Sequence, residues 1–174
     1  MKRLLVVMAA LGAVAASGCV THEALPSPVN SYRQGEEVSL KLPQYPSGPP
    51  HDLAEDKGHV VLLDVWATWC EPCKDALPIY QDLAKHYESR GLRVYAINMD
   101  EDPRQIDGFL KETKVTLPIL LEQNGLAEKS LGVKLMPTTF LIDKKGRLRH
   151  RHEGFAEEFL QKYQNEIEEL LAEP

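Results

Sequence analysis

Hydrophobic and polar positions divide this chain into short segments of alternating period. Val38, Leu40 and Leu42 alternate with Ser39 and Lys41, the two-residue period of a strand with one buried face. Pro43 to Pro50 holds four prolines and one glycine and reads as a loop. His59 to Trp66 carries Val60-Val61-Leu62-Leu63 and then Asp64-Val65-Trp66, a run too short for a helix and apolar enough for a strand buried on both faces. From about Glu71 to Ser89 the period changes: Leu77, Tyr80, Leu83, Ala84 and Tyr87 recur at three- and four-residue steps, and Gly91 suits the cap.

Leu92 to Met99 is a second buried strand, and Pro103 opens a helix running to Lys114. Leu117 to Leu121 is a short strand, and Leu126 to Leu131 a short helix ending before Gly132. Thr138 to Ile142 and Arg147 to His152 form strands joined by a hairpin at Asp143-Lys144-Lys145-Gly146. Phe155 to Leu171 closes the chain as an amphipathic helix with Phe159, Tyr163, Ile167 and Leu170 on its apolar face. The order β-α-β-α-β-α-β-β-α predicts an α/β fold, a mixed sheet covered by helices on both faces.

The first eighteen residues stand apart. Lys2 and Arg3 precede an uncharged, mostly apolar stretch from Leu4 to Ala16, too short to span a bilayer, and Ala16-Ser17-Gly18 leads into Cys19. This is the layout of an export signal. It also resembles the bacterial lipobox, in which Cys19 becomes the lipidated first residue; Ala16 stands where leucine is commoner. Three segments are expected: a signal at 1–18, a flexible tether at 19–35 containing Pro26-Ser27-Pro28, and one domain at 36–174. Removal of the signal leaves 18 basic and 26 acidic residues, a formal charge of −8. That balance argues against a nucleic-acid partner. With Val20 after the lipidated cysteine, an outer membrane is the expected address where two membranes exist.

Three cysteines are too few for a disulfide scaffold. Cys70 and Cys73 bracket Glu71 and Pro72 between a strand and a helix. Two thiols three residues apart in a first helical turn can close a disulfide, and the leading one meets the unpaired N–H groups of the helix start, which favour a thiolate. Pro72 fits that turn because its missing N–H costs no intrahelical bond. The alternatives are an inert disulfide or half of a zinc site, which would need two more ligands and finds no second C-x-x-C. Asp64, inside an apolar run, is expensive to bury charged, so its proton should be held tightly, as suits a proton acceptor.

Asp64-Val65-Trp66-Ala67-Thr68-Trp69-Cys70-Glu71-Pro72-Cys73, with Pro78, resembles thioredoxin. The Trp-Ala-Thr-Trp-Cys context, the insert around Asn98 to Leu117 and Met136-Pro137-Thr138-Thr139-Phe140-Leu141-Ile142-Asp143 resemble the TlpA/ResA branch of extracytoplasmic thioredoxin-like proteins. The likeness runs from about Val38 to the C-terminus. It implies the thioredoxin fold with an N-terminal strand extension, and a thiol–disulfide oxidoreductase that needs no cofactor or metal beyond the Cys70–Cys73 pair. It implies a cis bond before Pro137 facing that pair, with the Met136 backbone receiving substrate, and Asp64 aiding deprotonation of Cys73. Implied partners are disulfides or thiols of exported proteins, apocytochrome c among them, and an upstream membrane reductant; a monomer is expected. Two positions depart from the branch. Ala76 stands where a glutamate is common and Asp64 where asparagine is common, so the acid is expected on the strand; Asp75 is one residue, about 100°, off the helical face.

Some residues carry weaker signals. Trp66 reads as core. Trp69 reads as a shield of the redox pair, or as packing. His150 and His152 share a strand face and read as an exposed edge among Arg149 and Arg151 rather than a metal site. Glu157, Glu158, Glu166, Glu168 and Glu169 read as a solvated helix face. A copper-handling protein of the same fold usually spaces its cysteines by three residues, and a peroxidase wants a lone cysteine after a threonine and proline motif; neither pattern is present.

Overall fold

The computed structural model describes residues 32–174. The export signal, Cys19 and the tether before Tyr32 lie outside the described residues. The end of the expected tether does not hang free. Tyr32 donates its N–H to the Ser130 carbonyl at 2.8 Å, its hydroxyl bonds Ser39, and Gly35 donates to the Leu148 carbonyl. The folded unit therefore takes in residues 32–35.

The described residues form eight strands and four α-helices: β1 (Lys41–Leu42), β2 (Gln44–Tyr45), β3 (His51–Asp52), β4 (Val60–Trp66), α1 (Glu71–Tyr87), β5 (Leu92–Asn98), α2 (Ile106–Thr113), β6 (Ile119–Leu121), α3 (Leu126–Leu131), β7 (Thr138–Ile142), β8 (Leu148–Glu153) and α4 (Leu160–Ala172). The main sheet runs β2-β6-β5-β4-β7-β8, with β5 parallel and β7 antiparallel to β4. β4 is central, which is why seven consecutive residues from Val60 to Trp66 are buried. Side-chain alternation sends Val60, Leu62 and Trp66 to one face and Val61, Leu63 and Val65 to the other. The first face is covered by α1, α2 and α4; the second by α3 and the N-terminal segment, with Val38, Leu40 and Leu42 buried.

The expected strand at 38–42 pairs over only its last two residues, although its alternation places Val38, Leu40 and Leu42 inward as read. The proline-rich stretch is not all loop. Gln44 and Tyr45 add an edge strand against Leu120 and Ile119, where a neighbouring Pro43 removes no ladder bond from the sheet interior. The C-terminal helix starts later than its pattern suggests. Glu157–Phe159 form a 3₁₀ turn, and Phe159 is exposed while Tyr163, Ile167 and Leu170 are buried. The described fold is the expected thioredoxin-like α/β arrangement.

Candidate active site

Chain direction builds the site. β4 ends at Trp66, and the loop Ala67–Trp69 must turn into α1. Thr68 donates its backbone N–H and its hydroxyl to the Asp100 carboxylate, both at 3.0 Å, and Asn98 donates its side-chain amide to the same carboxylate at 2.7 Å. Met99 returns its N–H to the Trp66 carbonyl. These bonds tie the end of β5 to the loop that carries the cysteines. Trp66, fully buried, packs on Phe109 of α2 with ring centroids 4.5 Å apart.

Cys70 is the N-cap of α1, with Pro72 in the first turn, and a disulfide joins Cys70 to Cys73 across a Cα–Cα distance of 5.3 Å. Cys70 retains 6% of its surface and Cys73 none, so an approaching sulfur can reach only the first. The Met136–Pro137 peptide is cis, Pro137 is buried, and Met136 packs against the core cluster holding both cysteines. Trp69 is 70% exposed and so is not packed into the core. Trp69, beside Cys70 in the chain, and half-exposed Leu135, beside Met136, are both apolar surface. Glu71 is exposed, and its carboxylate pairs with Lys74 at 3.3 Å, a lysine that also lies 3.8 Å from Glu112. The charge beside Cys70 is thus partly neutralised by a partner one turn away.

Asp64 is fully buried on the Trp66 face of β4, beneath α1. Burial pushes its carboxyl well above the ordinary carboxylate range, against the opposing pull of a hydrogen bond from Thr139 and one from the Val65 backbone. Thr139 Oγ1 donates to Asp64 Oδ1 at 2.9 Å, and Asp64 Oδ2 has no partner. While Asp64 is ionised Thr139 donates to it, so the Tyr80 hydroxyl, 2.8 Å from Thr139 Oγ1, is then the donor of that pair. Burial and the nearby Asp64 raise the Tyr80 phenol far above its usual value. The helix position of the departing acid, Ala76, is fully buried in the cluster that contains Cys73, and Asp75 faces solvent.

Sequence reasoning missed Thr139, Tyr80, Asn98 and Asp100. The partners of Thr139, Tyr80 and Asp100 lie 32 to 75 residues away, Asn98 acts through Asp100 two residues on, and only Thr139, two residues after Pro137 in a motif, carried any signal. It also misread two groups. His150 and His152 are not an exposed edge: their rings stack 6.3 Å apart, part-buried, and both face Glu166. Glu166 is correspondingly withdrawn from the solvated acidic face, whereas Glu157, Glu158, Glu168 and Glu169 are exposed. Among the described residues no group of three or more His, Cys, Asp or Glu side chains is placed to hold a metal ion.

Comparison with known proteins agrees with this geometry. The Redoxin family model matches residues 34–170. The thiol-disulfide oxidoreductase ResA of Bacillus subtilis (strain 168) is 30% identical over 135 residues, covering 78% of this chain and 75% of ResA. Against several other ResA proteins the match spans 59–62% of their length. A Chlorobium tepidum structure described as the thiol:disulfide interchange protein DsbE superposes with a TM-score of 0.76 at 29% identity, over 82% of this chain and all of that one. The exposed lipoprotein thioredoxin Etrx1 of Streptococcus pneumoniae strain TIGR4 superposes at 0.63 with 26% identity, over 76% and 100%. The chain belongs to the redoxin family, and within it to the ResA-like thiol–disulfide oxidoreductases.

Proposed function

We propose that this protein is a lipid-anchored reductant of disulfides in exported proteins. The observation that carries the reading is the asymmetry of the pair: Cys70 sits at the surface and at a helix N-terminus, while Cys73 is sealed beneath it. The Cys70 thiolate attacks a substrate disulfide, forming a mixed disulfide and releasing one substrate thiolate. Cys73 then surrenders its proton to the Asp64 carboxylate and attacks Cys70. The Cys70–Cys73 bond forms, the mixed disulfide breaks, and the second substrate sulfur leaves as a thiolate. The oxidised protein is recharged by an upstream membrane reductant. The cis Met136–Pro137 edge, with Trp69 and Leu135 beside it, receives the substrate chain.

Direction follows from what stabilises the thiolate. Strong oxidants of this chemistry hold the thiolate firmly, which makes their disulfide eager to be reduced. Here the helix start supplies the stabilisation, and the nearest lysine, Lys74, is engaged with Glu71 and Glu112. The potential is expected nearer about −270 mV than about −120 mV. Equilibration with glutathione measures it; a value above about −180 mV would make the protein a disulfide donor.

The anchor rests on Ala16-Ser17-Gly18-Cys19 and on the likeness to a protein described as an exposed lipoprotein thioredoxin. The trapping variant Cys73→Ser tests the whole reading: it should accumulate mixed disulfides through Cys70 with exported proteins. A variant that traps nothing from cells, yet is folded and has a free Cys70 thiol, would refute it.

A further inference from the structure

The loop that carries Cys70 is held by one carboxylate. Asp100, just after β5, accepts the Thr68 N–H and the Thr68 hydroxyl, each at 3.0 Å, and the Asn98 side-chain amide at 2.7 Å. Asn98, itself buried, accepts the Asp100 N–H in return at 3.1 Å. All the donors to this carboxylate are neutral. Arg104 is engaged with Asp102, and Lys74 with Glu71 and Glu112. Among the described residues no lysine, arginine or histidine forms an ion pair with Asp100. The residue is part-buried, whereas Glu71 is exposed, so its charge is screened less by solvent.

We infer that Asp100 is a positioning residue for the exchange reaction, acting through Thr68 and setting an uncompensated negative charge against the Cys70 thiolate. Thr68 precedes Cys70 by two residues, and the Cys70 N–H turns back to the Ala67 carbonyl at 3.1 Å. Consecutive Cα atoms are about 3.8 Å apart, which places the Asp100 carboxylate on the order of 10 Å from the Cys70 sulfur. At an effective dielectric of about 20, a unit charge at about 10 Å shifts an ionisation by about tenfold. Asp100 therefore opposes the helix start, which favours the thiolate. The inference deepens the reductant reading, on which its purpose rests: a thiolate held less firmly makes the reduced pair the better electron donor.

The other charges around Cys70 do not fill this role. α1 brings Glu71 and Lys74, which pair with each other, and α2 brings Glu112 to the same lysine. β4 brings Asp64, whose proton is held by burial. The loop before Pro137 carries Lys134, which is exposed. Of the acids after Asp100, Glu101 is exposed and Asp102 is matched by Arg104 at 2.7 Å. Asp100 alone among these is bonded to the cysteine loop and left without a cation.

The test is the attack of the reduced full chain on hydroxyethyl disulfide, followed by stopped flow across pH. Cys70 bonds one sulfur of the probe, the S–S bond of the probe breaks, and mercaptoethanol leaves as its thiolate. Asp100→Asn removes the charge and keeps an oxygen for Thr68; Thr68→Ala loses the hydroxyl bond and keeps the charge. In Asp100→Asn we expect the pH midpoint of attack to fall by about 1, a tenfold gain in thiolate. Nucleophilicity falls with the pKa of the thiol, with a Brønsted slope of about 0.4–0.5. The variant should therefore attack about threefold faster below both midpoints and about threefold slower above them. The difference should shrink in about 1 M salt, and Thr68→Ala should keep the wild-type midpoint. A midpoint that Asp100→Asn leaves in place overturns the inference. So does an equal shift in Thr68→Ala, because loop placement would then be the cause. Rates lowered at every pH in Asp100→Asn mark a structural role and overturn it too. A reduction potential above about −180 mV, with the midpoint shift intact, would refute the reductant reading and leave the role of Asp100 standing.

Discussion

Replacing Asp64 by Asn should stabilise this protein, and only where the carboxyl would be ionised in the unfolded chain. The carboxylate is fully buried, receives one side-chain hydrogen bond from Thr139, and leaves Oδ2 unpartnered. No lysine or arginine accompanies it among the described partners. A carboxyl whose proton is held more tightly folded than unfolded contributes fully to stability below its unfolded value of about 3.9; that contribution is lost as pH rises through the folded value. Asn keeps the acceptor for Thr139 and discards the charge, although its amide inherits the unpartnered place of Oδ2. The gain at neutral to alkaline pH is therefore about 1.4 kcal/mol for each tenfold by which burial tightens the hold of Asp64 on its proton. For a domain of this size that raises Tm by about 4 °C per kcal/mol. Urea unfolding of the oxidised forms at about pH 3 and about pH 8 measures it. The two proteins should converge at the acid end. An equal difference at both pH values would show that packing, and not ionisation, separates them, and the buried-charge argument would fail.

Three other outcomes are expected. Cys19→Ser should shift the protein from the membrane to the soluble fraction; unchanged membrane association excludes the lipid anchor. Glu71→Gln should move the reduction potential by less than about 30 mV, the tenfold step for a two-electron couple, because Glu71 is exposed and shared with Lys74. A larger shift would mean that the Glu71 charge is felt at Cys70 despite its partner. Trp69→Ala should leave stability within about 0.5 kcal/mol, since the ring is exposed. It should slow exchange with protein disulfides more than with small ones; equal slowing of both would remove Trp69 from substrate contact.

What could be read from the sequence follows the range of the interaction. β4 was legible because a central strand flanked on both faces has no polar alternation to obscure it. The helix Leu126–Leu131 was legible because Gly132, at φ +63°, marks its end as an L residue rarely can. The cysteine pair needed only local spacing. β2 was not legible: a two-residue edge strand has no period, and its pairing with Ile119 and Leu120 is set by the sheet. Phe159 was misplaced because a helical period was extended one turn too far, into a 3₁₀ segment. His150, His152 and Glu166 were read as surface because each is polar and unremarkable locally. Their burial exists only once α4 lies across β8.

The same logic explains where the buried acid sits. Ala76 points from α1 into the cluster that holds Cys73, and it is sealed there with only a methyl group. A glutamate at that position would need room the packed helix face does not offer, and it would meet a second carboxylate in a site where one is already costly. Asp64 approaches from the sheet side instead. A strand residue has cross-strand neighbours at fixed register, so Thr139 is held opposite Asp64 by the β4–β7 ladder itself. Tyr80 then completes the hydroxyl pair from the helix. An acid on α1 would have had no such ladder partner. Moving the acid to the strand thus brings with it a hydrogen-bonded trio, Asp64, Thr139 and Tyr80, that joins β4, β7 and α1 beneath the cysteine pair.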